Sequence, residues 1–293
     1  MSFFQRAISF TFELSEGTFA ASGTSTLEVT GLRASVEIDA AGGPYMGEAH
    51  IRIWGLTTAQ LNDLSFIQRN TQGLVTYRRN FTVTVAAGNK GTTLPAVFLG
   101  QIISSNINLN SQPDTLLEVV AQAGQSLAAQ KVPASSFPGR KDAMGILATL
   151  AATANPPLAF ENSNGLSVIV SDQYLRGSLF DQVQQVAQAA QVEVKIDLGT
   201  LAVWPRGGVR KNGAPLVVSP QTGMVGYPTN EYYNLTVDTE FNPQLYLGQQ
   251  VQVQSSLQFA NGTWGVFAVN HSLESEMPDG KWFSNFRGYP VQL

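Results

Sequence analysis

Glu48-Ala49-His50-Ile51-Arg52-Ile53-Trp54-Gly55-Leu56 alternates small or apolar residues with polar ones. Ala49, Ile51 and Ile53 fall on one face at a period of two, the signature of a half-buried strand. Thr57 or Thr58 then offers an N-cap to a short helix that carries Leu61, Leu64 and Phe66 or Ile67 near helical spacing. Outward from this stretch the period of two recurs. Residues 6–14 alternate around Ile8, Phe10 and Phe12, while 26–29 and 33–38 are separated by the turn residue Gly31. Residues 74–85 alternate through Val75, Tyr77, Phe81, Val83 and Val85, and the turn Gly88-Asn89-Lys90-Gly91 leads to strands over 94–108 and 115–123. Many short strands with turn signals between them predict a sandwich or barrel.

After residue 125 the composition changes. Ala, Gln and Leu rise, and Pro133, Pro138, Pro156 and Pro157 punctuate the chain. A helix is expected over 141–154, with Met144, Leu147, Leu150 and Ala151 on one stripe. A second is expected over 178–191, where Ser178 and Asp181 make a capping-box-like pair and Leu179, Val183, Val186 and Ala190 line one face. Strands over 192–196 and 200–204 flank a hairpin turn at Asp197-Leu198-Gly199. Beyond Pro205 the chain reads as β again. Strands are expected over 215–218, 232–239, 249–255, 263–270 and 281–289, the last two joined through Met277-Pro278-Asp279-Gly280. The fold class expected is therefore mainly β with a smaller α+β insert at 126–205. No exact repeat occurs at a period of 20–50 residues.

Composition narrows the function. The 293 residues carry 21 acidic and 17 basic side chains, a net charge of −4, and 40 Asn or Gln. Charged residues are 13%, about half the ~25% usual for globular domains, so polarity has moved from ions to amides. The chain has no cysteine and two histidines, which excludes disulfides, thiolate chemistry and Cys- or His-rich metal sites. The acidic balance argues against a broad DNA-coating surface. No run of 18 apolar residues exists to form a transmembrane helix, and Met1-Ser2-Phe3-Phe4-Gln5-Arg6 lacks the pattern of a secretory leader.

Each group that could carry chemistry has a plainer reading. His50, opposite Ile51 on its strand, and His271, after the 263–270 strand, read as surface or interface side chains, since a catalytic His needs a nucleophile and a carboxylate beside it. Glu274, Glu276 and Asp279 could bind Ca²⁺, but the 273–280 segment reads as a solvated hairpin tip. Asp238 and Glu240 could flank a glycosidic bond, or simply occupy the polar face of a strand end. Arg206-Gly207-Gly208-Val209-Arg210-Lys211-Asn212-Gly213 is basic and Gly-rich but lacks the order of a phosphate loop, and reads as an exposed linker. Arg78-Arg79 reads as an edge or interface pair. Gln182, Gln184, Gln185, Gln188 and Gln191 give the second helix an amide-rich face, which can be buried against a partner at lower desolvation cost than ions. No catalytic, cofactor-binding or metal-ligating residue is assigned.

A more specific pattern lies in Leu201-Ala202-Val203-Trp204-Pro205-Arg206-Gly207-Gly208, then Thr222-Gly223-Met224-Val225-Gly226-Tyr227-Pro228, then Phe241-Asn242-Pro243-Gln244-Leu245-Tyr246-Leu247-Gly248 with Val251 and Val253 following. Here Gly223, Gly226 and Gly248 read as turn positions and Pro243 as a strand end. This order, with the helix and hairpin before it and the Ile-Arg-Ile-Trp-Gly-Leu strand near the N-terminus, resembles the baseplate hub proteins of contractile-tailed bacteriophages, the tail hub or late control D-like family. The resemblance implies two tube-type antiparallel β-barrel domains, at 1–125 and 206–293, flanking a helix-containing module at 126–205. It implies a homotrimer whose pseudo-sixfold ring adapts the hexameric tail tube, or a tube-initiator protein, to a trimeric spike, with the tape-measure protein and other baseplate subunits as further contacts. It also implies a location in the virion tail baseplate after assembly in the host cytoplasm, DNA passing transiently through the lumen, no membrane insertion, no cofactor and no enzymatic role. The competing reading is a cell-wall hydrolase or carbohydrate-binding tail module using Asp238 with Glu240 or Glu274. Against it, Trp54, Trp204, Trp264 and Trp282 are dispersed rather than gathered in one cleft. A tube- or sheath-like subunit would not need the helical insert.

Overall fold

The computed structural model describes residues 5–69, 75–77, 81–110, 115–211 and 213–291. The chain forms two compact units. The first comprises Met1–Asp39, Gly47–Ala123 and His271–Trp282; the second comprises Ala40–Met46, Gly124–Asn270 and Phe283–Leu293. The fold is mainly β, with antiparallel pairing dominant and few helices.

The first unit holds β1 (Arg6–Leu14), β2 (Thr26–Thr30), β3 (Ala34–Ala41), β4 (Glu48–Trp54), helix α1 (Thr58–Leu64), β5 (Ile67–Arg69), β6 (Val75–Tyr77), β7 (Phe81–Asn89), β8 (Ala96–Asn108) and β9 (Leu116–Gln122). Its main sheet runs β3-β4-β9-β8-β7-β1-β2, every pair antiparallel, and β5 pairs with β6 apart from it. The alternation seen in sequence is the cause. Ala49, Ile51 and Ile53 are buried, whereas His50 and Arg52 between them are exposed. Phe10 and Phe12 are buried on β1 with their rings paired, Phe12 also packs with Phe81, and Phe81 with Phe19. Each such ring contributes about 1.5–3 kcal/mol by leaving water. Thr57 caps α1 with a full capping box through Gln60. Asp63 of α1 accepts the backbone N–H groups of Ala20 and Ala21 at 3.1 and 2.6 Å, which explains why a carboxylate is buried there. Of the 74–85 reading, Leu74 and residues 78–80, including Arg78-Arg79, lie outside the described residues.

The second unit holds α2 (Gln125–Ala129), β10 (Ser135–Asp142), α3 (Ala143–Thr153), β11 (Ala159–Glu161), β12 (Ile169–Leu175), α4 (Leu179–Ala190), β13 (Val192–Asp197), β14 (Thr200–Pro205), β15 (Leu216–Val218), β16 (Met224–Glu231), β17 (Asn234–Glu240), β18 (Gln250–Val253) and most of β19 (Gly262–Ser275) and β20 (Trp282–Pro290). The last five residues of β19 and the first residue of β20 belong to the first unit, and the last two residues of β3 to the second. β10 pairs with β12, and β14 lies between β11 and β13. β16, β17, β20 and β19 follow in order, while β18 joins β19 to β15. Ser178 and Asp181 close a full capping box on α4, as expected. Leu198 and Gly199 both have positive φ, 45° and 76°, which is the mirror-image turn a two-residue hairpin requires.

Two large hydrophobic clusters lie in this unit among the described residues, beside a small one of Ala202, Trp204 and Leu247. One gathers Leu147, Leu150, Leu175, Leu179, Val183 and Val186 with other side chains from residues 127–203. The other gathers Leu235, Val237, Leu245, Val251, Val253 and Phe286 with neighbours from 218–286.

Several details depart from the expected elements, among them β16, which runs through residues 224–231 where the glycines predict turns. Tyr232 and Tyr233 were expected to open a strand because aromatic residues favour pleated backbone, but they form the turn between β16 and β17. The strand expected to end at Asn270 continues to Ser275, so the hairpin tip begins later than Leu273, which is fully buried. β10 and β12 were not expected at all, because Pro138, Gly139 and Asp172 interrupt any alternation.

Candidate functional site

The densest polar arrangement is built around Arg210. β11 ends on Glu161, β13 ends on Asp197, and the segment after β14 brings Arg210 between them. Arg210 Nε and Nη2 donate to the two oxygens of Glu161 at 3.0 and 2.9 Å, and Nη1 donates to Asp197 at 2.7 Å. The guanidinium stands 5.2 Å from the centre of the Tyr246 ring. Its backbone N–H bonds to Gly248 O at 2.8 Å. Gly248 has φ +79°, and a Cβ there would lie 2.7 Å from Arg210 Cβ and 3.2 Å from its backbone nitrogen. Glycine is therefore required by both conformation and contact.

Burial disfavours the ionised Glu161 carboxylate, but the hydrogen bonds and charge of Arg210 outweigh it and hold the carboxyl below its ordinary range. Burial also works against the charged Arg210, and the two carboxylates more than restore it. A fork-shaped cation satisfied by two carboxylates ties three segments together. It offers no proton to exchange, because guanidinium stays charged.

A second buried cation is Lys195 on β13, 6% exposed, whose Nζ donates to the backbone carbonyls of Ala41 and Tyr45. Burial lowers its pKa to about 8, against the pull of Asp197 and Glu193. Tyr289 donates its hydroxyl to Gly208 O, and burial raises its pKa to about 12. These groups fasten the second unit's loops.

The residues singled out in sequence fall as follows. His50 is exposed on β4, with Nε2 2.7 Å from Glu48 Oε1. His271 does not follow a strand at the surface. It lies within β19 and is 5% exposed, because that strand runs five residues longer than the alternation suggested. Glu274 accepts from Lys281 N at 2.9 Å and staples the β19–β20 hairpin, whereas Glu276 accepts from Gln5 Nε2 and faces Lys90 at 3.6 Å, which ties the hairpin tip to the segments beside β1 and β7. Asp279 has φ 53° in the turn. Asp238 and Glu240 share the outward face of β17, and Asp238 accepts from Asn285 at 2.7 Å. The 206–213 run is not simply an exposed linker. Arg206 is exposed beside Glu193, but Val209 and Arg210 are buried, because the backbone of Arg210 joins Gly248.

The amide face of α4 divides. Gln182 is fully buried and donates to Pro133 O, Gln185 bonds both backbone groups of Arg176, and Gln188 and Gln191 are exposed. Among the described residues, no group of three or more His, Cys, Asp or Glu side chains is placed to hold a metal ion, and no helix is long and apolar enough to cross a membrane. Sequence reasoning missed Arg210 and Lys195. A signal for the first was its place six residues after Trp204 and its pairing potential with Asp197, but nothing local marks either as buried.

Residues 8–282 match the family model for baseplate hub gp41. The chain belongs to the baseplate hub gp41 family. This makes it a structural protein of the bacteriophage tail baseplate, in agreement with the resemblance read from its motifs. No curated protein matches it in sequence. Solved structures share its fold at low identity. The tail protein from Neisseria meningitidis MC58 superposes with a TM-score of 0.66 at 12% identity, covering 98% of this chain and 97% of the other. The E. coli c3393 protein, a type VI secretion component described as structurally similar to T4 tail proteins gp27 and gp5, gives 0.59 at 10% identity, over 89% and 74% of the two chains. The 43 kDa tail protein of prophage MuSo2 from Shewanella oneidensis gives 0.58 at 9% identity, over 97% and 99%.

Proposed function

We propose that this hub protein forms the central trimer of a contractile-tail baseplate. Two tube-type barrel domains per chain would give a pseudo-sixfold ring, adapting a hexameric tail tube on one side to a trimeric spike on the other. The observation that carries this reading is the hub family match over residues 8–282, together with a tail-protein fold spanning nearly the whole chain. In this reading residues 1–125 hold most of the first barrel, 126–205 the linking module and 206–293 the second barrel. The separate hydrophobic clusters drawn from 127–203 and from 218–286 support that division. The tube or a tube-initiator protein, the spike, the tape-measure protein and other baseplate subunits are the partners. DNA crosses the lumen only during ejection, and assembly takes place in the host cytoplasm without membrane insertion.

We read the chain as non-enzymatic. In support, Glu274 is engaged in a hairpin staple and Asp238 in a cross-strand hydrogen bond. Mass photometry of the purified protein, alone and with a spike protein, tests the reading: a trimer that captures one spike trimer is expected. A strictly monomeric protein that binds neither spike nor tube overturns it. Peptidoglycan hydrolysis abolished by Asp238→Asn would favour the hydrolase instead.

A further inference from the structure

The hairpin of β16 and β17 turns on Tyr232 and Tyr233, whose side chains are 90% and 87% exposed. Tyr232 has φ 53°, a backbone region where a bulky side chain is strained and glycine fits readily. Tyr227 on β16 is also exposed. Three aromatic rings on one hairpin thus bury little within their own chain, and one sits on unfavourable backbone. Such rings serve contact with something else. The surroundings are acidic. From Asn212 to Asn270, within this unit, the sequence contains three Asp or Glu and no Lys or Arg. Glu231 adjoins the tyrosine pair, with Asp238 and Glu240 further along the same hairpin. Arg287 on the neighbouring strand lies opposite Thr236, over the Phe267 ring.

The β10–β12 ribbon in the same unit has the opposite character. Between residues 126 and 191 the cations are Lys131, Arg140, Lys141 and Arg176, and none forms an ion pair among the described residues. All four carboxylates there are engaged: Asp142 and Asp181 cap helices, Asp172 accepts from Gly139 N, and Glu161 binds Arg210. Cross-strand partners share a face. The register sets Arg140 opposite Ser171, between Ile169 and Tyr174, which are 51% and 65% exposed. The outward face therefore sets two exposed apolar side chains, Ile169 and Tyr174, on either side of an unpaired cation, with Ser136 and Ser171 between them. Tyrosine and arginine with an apolar neighbour are the usual anchors of a protein interface.

We propose that the Tyr232–Tyr233 hairpin of one copy docks on the β10–β12 ribbon of a second copy, its rings against Ile169 and Tyr174 and Glu231 facing Arg140. Opposite charge and matching aromatic character on one chain select a second copy as the occupant. Because the two patches differ, the contact is head-to-tail and generates a ring when its rotation closes. The proposal rests on the reading of the chain as a self-assembling hub.

Charge exchange tests it by mass photometry and sedimentation of the full chain. Arg140→Glu and Glu231→Arg should each weaken self-association by about tenfold or more, and the two together should restore most of it. Tyr232→Gly with Tyr233→Ser supplies residues the turn accepts, so the thermal midpoint should hold while association falls. Wild-type oligomers that persist in all these variants would overturn the docking contact and leave the hub reading standing. A monomeric wild-type protein at micromolar concentrations would overturn both.

Discussion

Arg210 and Tyr232 belong to the same compact unit and are treated in opposite ways by the fold. Arg210 is buried, satisfied by two carboxylates, placed over one ring and joined by its backbone to Gly248. Tyr232 is 90% exposed on a backbone that disfavours it. Polar groups at the first place are consumed in tying β11, β13 and the segment before β15 together. Apolar groups at the second contribute little to the chain's own stability. A substitution near Arg210 should therefore change folding, and one at the hairpin tip should change assembly alone.

The sharpest test of that contrast is Gly248→Val. A side chain there meets Arg210 at 2.7 Å on a backbone with φ +79°, and should cost more than ~3 kcal/mol, read as aggregation or a collapsed thermal midpoint. An unchanged midpoint would mean that the Arg210 segment shifts freely, which would break the comparison. Next comes Arg210→Met. It strands Glu161, whose side chain is 20% exposed, and should cost about 3 kcal/mol in urea unfolding, the low end for a broken buried pair because Asp197 is a third exposed. Adding Glu161→Gln to that variant should recover part of the loss, since the uncompensated charge is then gone.

A smaller effect concerns pH. The folded pKa of Glu161 lies below the ordinary 4.5, so its contribution is present above that value and is lost as pH falls through the folded pKa. Glu161→Gln should therefore show a shallower acid limb between pH 5 and 3 than the wild type in thermal melts (a range of about the usual carboxylate pKa). The smallest change is expected at the tip. Tyr232→Gly relieves the positive φ but adds freedom to the unfolded chain, so stability should move by less than ~1 kcal/mol. A larger fall would show that the ring supports the fold after all.

Much of the β framework was legible because burial on one face leaves a period of two. Ala49, Ile51 and Ile53 on β4, and Ile8, Phe10 and Phe12 on β1, were read in place and are buried. The α4 cap was equally legible, because Ser178 and Asp181 act on backbone N–H groups within one turn. Gly223 and Gly248 read as turn positions and are, both with positive φ, whereas Gly226 has positive φ inside β16, where the register with β17 shifts. The ribbon was not legible, since Ile169–Leu175 breaks its alternation at Asp172, φ 49°. Nor was the burial of His271 or Arg210. Those depend on partners far away in sequence, such as Gly248 for Arg210, and no local spacing encodes them.

Local periodicity, capping and turn chemistry, together with the order of short motifs, determined from the sequence alone that this is a mainly β hub-like protein with an α+β insert. Those signals act over a few residues and survive in any reading of the chain. Tertiary structure alone decided which charges are buried and which stand free. Glu161, Asp197 and Arg210 come together only when three separate segments close on one another. The solvent exposure of Tyr232, Tyr233, Ile169 and Tyr174 is likewise set by what the rest of the fold leaves uncovered.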